Sequence, residues 1–176
     1  MALECHLLVR LIHTYSIRCV RGLLTSPLAL LHFPFEGAKA LFDTTSWDEK
    51  PIADAGSPLK ITRVRTERTF TGQLEGKGVA EYVMVYHPSD PSVTDPHAMS
   101  ASYSGVMIFQ GKLDGSEEGE VVLITAGTFE GAAIGEWVVD EKTATGGLKG
   151  IKGKGGYNSK GMTGTEVWVD LQFPTK

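Results

Sequence analysis

A short phrase bounded by glycines recurs along this chain. It reads Gly72-Gln73-Leu74-Glu75-Gly76, then Gly111-Lys112-Leu113-Asp114-Gly115, then Gly127-Thr128-Phe129-Glu130-Gly131, with a looser copy at Gly146-Gly147-Leu148-Lys149-Gly150. Glycine reaches positive φ at little steric cost, so each phrase marks a place where a strand can stop and reverse. Runs rich in Val, Ile, Thr and aromatic residues lie between the phrases and suit strands. The pattern predicts strands near 38–46, 59–71, 77–87, 101–112, 120–129, 133–140, 144–151 and 163–173. The last one alternates, with Thr165, Val167, Val169, Leu171 and Phe173 on one face and Glu166, Trp168, Asp170 and Gln172 on the other, the period of a half-buried strand. Eight strands with short turns close most readily into an all-β, eight-stranded antiparallel up-and-down barrel, which leaves no bare edge.

Residues 1–34 differ from the remainder, 35–176, which carries the barrel pattern. The first segment has three arginines (Arg10, Arg18, Arg21) against one acid (Glu4), whereas the rest has fourteen basic and twenty acidic residues. Arginine-bearing and poor in acids, it reads as an N-terminal extension outside the core, with an organelle transit peptide as one reading and a mis-called gene start or a loosely docked helix as the alternatives. The arginines interrupt any secretory apolar run, and no stretch of roughly 20 apolar residues offers a transmembrane span. A net charge of −4 gives no basic face for nucleic acid. Both cysteines, Cys5 and Cys19, fall in the extension, so the barrel has neither a disulfide framework nor a thiolate metal site. That suits the cytoplasm, with an organelle as the alternative if residues 1–34 are a targeting segment.

Several motifs, in order, resemble the family called domain of unknown function 3224. They are Ser46-Trp47-Asp48-Glu49-Lys50-Pro51, Thr69-Phe70-Thr71-Gly72-Gln73-Leu74-Glu75-Gly76-Lys77-Gly78, Glu81-Tyr82-Val83-Met84-Val85-Tyr86, Ala126-Gly127-Thr128-Phe129-Glu130-Gly131 and the glycine-rich run 146–156. That family looks like a relative of the allene oxide cyclase-like barrels. The resemblance implies a barrel with a central cavity that holds an apolar substrate and steers cyclisation or coupling, and it brings no established catalytic residues. Met107 stands where the family often has Glu, and Ile124-Thr125 where it has a polar pair, which implies a greasier interior and an apolar ligand.

A hairpin turning at Leu74-Glu75 would set Arg68 opposite Glu81, Thr66 opposite Val83 and Phe70 opposite Val79 on one apolar face. A buried guanidinium and carboxylate must then pair, since one left alone costs several kcal/mol or more. The structural role of such a pair is to fix register. The functional role makes Glu81 a proton acceptor and Arg68 its orienter or the anchor of a carboxylate ligand. The opposite face would carry Arg63, Arg65 and Glu67 against Tyr82, Met84 and Tyr86, suited to solvent or to a homo-oligomer contact.

Trp47 and Glu49, where the first strand gives way to a loop, are candidates for the rim of a ligand site, and Tyr103 and Trp137 for its wall. Such tryptophans also commonly seal a core. His87, Asp90, Asp95 and His97 lack a recognised metal-ligand spacing, and Gly150 to Gly156 lacks the Ser or Thr of a phosphate loop. Neither a metal nor an organic cofactor is expected. The function expected is binding of an apolar small molecule, with a cofactor-independent cyclase or isomerase as its catalytic form. A ligand-binding or protein-interaction barrel without catalysis is the alternative.

Overall fold

The computed structural model describes residues 40–52, 60–88 and 99–172. The expected extension at 1–34, most of the proline-bearing loop after His87 and Phe173 lie outside the described residues. Eight antiparallel strands run β1 (Ala40–Pro51), β2 (Ile61–Gly72), β3 (Leu74–Tyr86), β4 (Ser100–Leu113), β5 (Gly119–Glu130), β6 (Ala133–Asp140), β7 (Lys152–Ser159) and β8 (Thr165–Gln172). Each pairs with its sequence neighbour, and β8 returns to β1, closing the barrel. No helix among the described residues is long and apolar enough to cross a membrane.

The recurring glycines divide their work. One glycine of each of the first three phrases makes a corner: Gly72 (φ +94°), Gly115 (φ +75°) and Gly131 (φ +71°). Its partner stays within a strand: Gly76 opposite Gly111, Gly111 opposite Gly119, and Gly127 opposite Gly135. Several strand glycines clear room for rings inside the barrel. A Cβ on Gly135 would lie 2.5 Å from the hydroxyl of Tyr103 and from the ring of Tyr157, and one on Gly155 would lie 2.2 Å from the Trp137 indole. Aromatic rings thus rest directly on the backbone of neighbouring strands, at the density protein interiors require.

The end of the barrel holding the β2–β3, β4–β5 and β6–β7 connections, here the lower end, is a filled core. Leu74, Phe109, Leu123, Trp137, Leu148 and Ile151 surround an apolar void of only about 10 Å³, at the limit for a single water. The expected seventh strand at 144–151 is corrected. Two 3₁₀ turns occupy Glu141–Thr143 and Gly146–Leu148, and the strand follows at Lys152–Ser159. Gly146 (φ +56°) and Gly150 (φ +83°) bend the chain, and burying Leu148 and Ile151 beneath the barrel outweighs extending them. The alternation expected for β8 is present from Thr165 to Gln172.

The β2–β3 register is also corrected. Gly72 turns the chain about Gln73, so Phe70 faces Gly76, Arg68 faces Gly78 and Arg65 faces Glu81. The difference from the expected pairing is three residues, an odd number, so β3 presents its other face. Ala80, Tyr82 and Met84 point inward and are buried. They are not available to a subunit contact. On the outside, Val106, Ile124 and Val138 stand side by side across β4, β5 and β6, about half exposed.

Gly155→Ala is expected to destabilise the barrel by about 1–3 kcal/mol, because the added methyl collides with Trp137 in a packed wall. Gly161→Ala, whose Cβ meets nothing within 4 Å, should change stability by less than about 0.5 kcal/mol. Urea unfolding of both variants checks the contrast, and equal effects would refute the seating of rings on bare backbone.

Candidate functional site

The inner face of β2 carries Thr62, Val64, Thr66, Arg68 and Phe70, all buried. Arg68 is 7% exposed. Its guanidinium lies over the rings of Phe42 (4.5 Å) and Tyr157 (5.0 Å). Its Nη1 donates to the sulfur of Met107 at 3.8 Å, and its Nε has no partner. Among the described residues no carboxylate forms a salt bridge with it. Burial is the largest influence on this group and works against its charge, the neighbouring Tyr157, whose hydroxyl is within hydrogen-bonding reach of the guanidinium, works for it, and the net direction is upward from the ordinary arginine value. The guanidinium is therefore charged. Cation–π contacts of about 2 kcal/mol each when desolvated offset only part of the several kcal/mol that burying an ion costs.

Aromatic side chains connect Arg68 to the upper end. Tyr157 and Tyr103 share a hydroxyl–hydroxyl bond of 2.8 Å. Tyr103 packs on Tyr82 with centroids 5.3 Å apart, and Tyr82 meets Trp47 edge-on at 6.2 Å. Phe42, Phe70 and Phe109 continue the column downward. Burial pushes the Tyr82 phenol up to about 12 and raises Tyr103 further. Both are neutral hydroxyls at physiological pH. Two threonines on the same face of β2 add to the polar character: Thr62 Oγ1 and Thr66 Oγ1 are buried without hydrogen-bond partners.

Trp47 and Glu49 lie within β1, not in the loop expected there, because the strand runs on to Pro51. A bulge between Thr44 and Ser46 shifts the alternation by one residue. Trp47 consequently faces Thr66, and Glu49 faces Val64, both inward positions. Without the bulge they would point outward. Glu49 accepts hydrogen bonds from the Tyr86 hydroxyl (2.7 Å) and from the Trp47 indole (3.3 Å), and Lys60 stands 3.9 Å away. Trp47 remains 46% exposed, so it reaches from solvent to the buried tyrosines.

The sequence candidates therefore separate. Arg68, Tyr103, Trp47 and Glu49 belong to one connected inner surface. Trp137, 2% exposed, belongs to the lower core. Glu81 does not meet Arg68. It lies on the outer face, where Arg63 Nε and Arg65 Nη1 each donate to it at 2.9 Å. An interior proton acceptor at Glu81 is thus excluded by register. Met107, where the family resemblance implied a glutamate, sits against Arg68. Tyr82 and Tyr157 were missed from sequence. Tyr157 follows Gly155 and Gly156 closely, a sign of tight packing, but only the closed barrel brings it under Arg68. Among the described residues no group of His, Cys, Asp and Glu could hold a metal ion. Both ring nitrogens of His87 engage serines, Ser100 at 3.1 Å and Ser102 at 2.9 Å.

Hydrogen bonds from Arg63 and then Arg65 hold the Glu81 carboxyl below its usual range. A folded pKa below the unfolded one stabilises the protein above the unfolded value, about 4.3. That contribution is lost as pH falls through the folded value. Glu81→Gln should therefore show a smaller fall in thermal midpoint than the wild type between roughly pH 5 and pH 3. Identical acid limbs would mean that the pairing is absent in solution.

Similarity to known proteins agrees with the barrel. One solved structure, a protein of unknown function from the DUF3224 family of Shewanella oneidensis MR-1, superposes with a TM-score of 0.55 at 19% identity, covering 77% of this chain and 98% of that one. At that identity the likeness shows the fold alone. No curated protein matches the chain. Residues 38–171 match the family described as protein of unknown function (DUF3224), which spans all eight strands except the last residue of β8. The chain belongs to the DUF3224 family.

Proposed function

We propose that the upper half of the barrel binds an apolar, oxygenated small molecule on the inner surface formed by Trp47, Tyr82, Tyr103 and β2. The observation that carries this reading is the row of unpartnered polar atoms on one buried strand face: Thr62 Oγ1, Thr66 Oγ1 and Arg68 Nε. Buried polar groups are satisfied in the great majority of cases, and each orphan costs about 1–3 kcal/mol. Three among the five inward residues of a single strand, beside an aromatic surface, form a pattern that a bound molecule would complete. Apolar area for the body of the ligand and a few placed polar groups for its orientation are what small-molecule sites combine.

A cyclase or isomerase of the allene oxide cyclase-like kind is the catalytic form of this reading. The Tyr103–Tyr157 hydroxyl pair beside the Arg68 cation favours it, since neutral donors near a fixed positive charge stabilise a developing oxyanion. Glu81 takes no part, because it lies outside the barrel. The binding role needs fewer assumptions. No interior carboxylate at the Arg68 layer is available as a base among the described residues, and the lower core is packed.

Native mass spectrometry of the full chain purified from its own host is the direct test. The expected result is a retained small molecule of a few hundred daltons, released on denaturation. Tyr82→Ala, which removes the middle of the aromatic surface, should reduce that occupancy by at least tenfold. A bare wild-type chain, with no uptake from a lipid and metabolite extract, would refute the binding role.

A further inference from the structure

We propose that Arg68 receives a single carboxylate, so that the ligand is an apolar monocarboxylic acid with its head group at the Arg68–Tyr157 layer and its body toward Trp47. This deepens the binding role above and rests on it.

Arg68 is buried, cationic and without a carboxylate partner among the described residues. The inward-facing acid of β1, Glu49, is engaged near the upper end by Tyr86 and Trp47. The phenols around Arg68 cannot supply the missing anion, because burial keeps Tyr82 and Tyr103 protonated. Arginine cannot relieve its burial by losing a proton, as a lysine would. No carboxylate of the described residues supplies a countercharge to Arg68, and a bound anion would supply it.

Geometry then narrows the class. Nη1 faces the Met107 sulfur, while Nε is unpartnered. The Nε side of a guanidinium offers two nearly parallel N–H donors, the shape that a carboxylate accepts side-on. Among the described buried residues Arg68 is the sole cation. One positive charge balances a carboxylate, whereas a phosphate monoester with about −1.5 to −2 charge would stay undercompensated. The guanidinium lies over the ring of Tyr157, and the Tyr103–Tyr157 hydroxyl pair keeps one proton not used between the two rings, which can be donated to a second oxygen. Above it, Tyr82 and Trp47 supply apolar surface for the rest of the molecule.

The test compares straight-chain carboxylates from hexanoate to tetradecanoate with the alcohols of the same lengths, by calorimetric titration of the full chain. The best carboxylate is expected to bind at least tenfold more tightly than its alcohol. Arg68→Met should remove that preference while leaving alcohol binding intact, and Arg63→Gln, on the outer face, should leave it unchanged. Arg68→Met should also raise the thermal midpoint of the ligand-free protein, because an unpaired buried charge gives way to an apolar side chain of similar length. Equal binding of acid and alcohol would overturn the carboxylate assignment and leave the binding role standing. Failure of every acid and alcohol to bind would overturn both. A lowered midpoint for Arg68→Met with an unchanged preference would make Arg68 a structural cation.

Discussion

Rings resting on bare backbone set the interior of this protein. An eight-stranded barrel has an interior just wide enough to be filled by side chains or to hold one small ligand among them. Here the filling is done by large aromatics from some strands over glycines of others: Trp137 over Gly155, Tyr103 over Gly127 and Gly135, and Tyr157 over Gly135. Each large residue requires a small one across the pair, so the glycines on β5, β6 and β7 and the rings on β4, β6 and β7 form one constraint. The glycine-rich character of the second half of the chain follows from it as much as from turns.

That packing also explains why the two halves of the barrel differ. At the lower end, aliphatic side chains and the 3₁₀ connection after β6 complete an ordinary apolar core. Higher up, the same column of rings carries hydroxyls, and β2 contributes two threonines and an arginine to the interior. Such groups weaken a core unless they are satisfied. A barrel that spent its inner surface only on stability would place aliphatic residues there, as it does around Leu123. Stability given up locally beside a connected aromatic surface is what the proposed binding role would account for. The bulge in β1 fits this account, since it serves to turn Trp47 and Glu49 toward the same interior.

Most of the architecture was legible in the sequence. Strand number, all-β class and the burial alternation of β8 follow from side-chain period and turn residues, which are local. The candidate site was legible only in part. Arg68 could be placed inward from β2 alone, because Arg63, Arg65 and Glu67 alternate with Thr62, Val64, Thr66 and Phe70. Strand β3 is apolar on both faces, with Val79, Val83 and Val85 on one and Tyr82 and Met84 on the other. Its period therefore does not tell which face is inside. The partner of Arg68 was misassigned for that reason, and the seventh strand was placed early because Leu148 and Ile151 read as strand residues when they plug the barrel.

What the sequence determined by itself was the number of strands, their antiparallel order and the presence of a cation on an otherwise apolar face, since these depend on near neighbours along the chain. What only the tertiary structure decided was which groups that cation meets. A turn centred on Gln73 fixes the β2–β3 register, and an odd shift there exchanges the interior and exterior of β3, sending Glu81 out to Arg63 and Arg65. Closure of the barrel then brings Tyr157, some ninety residues away in sequence, against Arg68. Neither event leaves a local trace, because register and closure are settled by the fit of rings to backbone across the whole sheet.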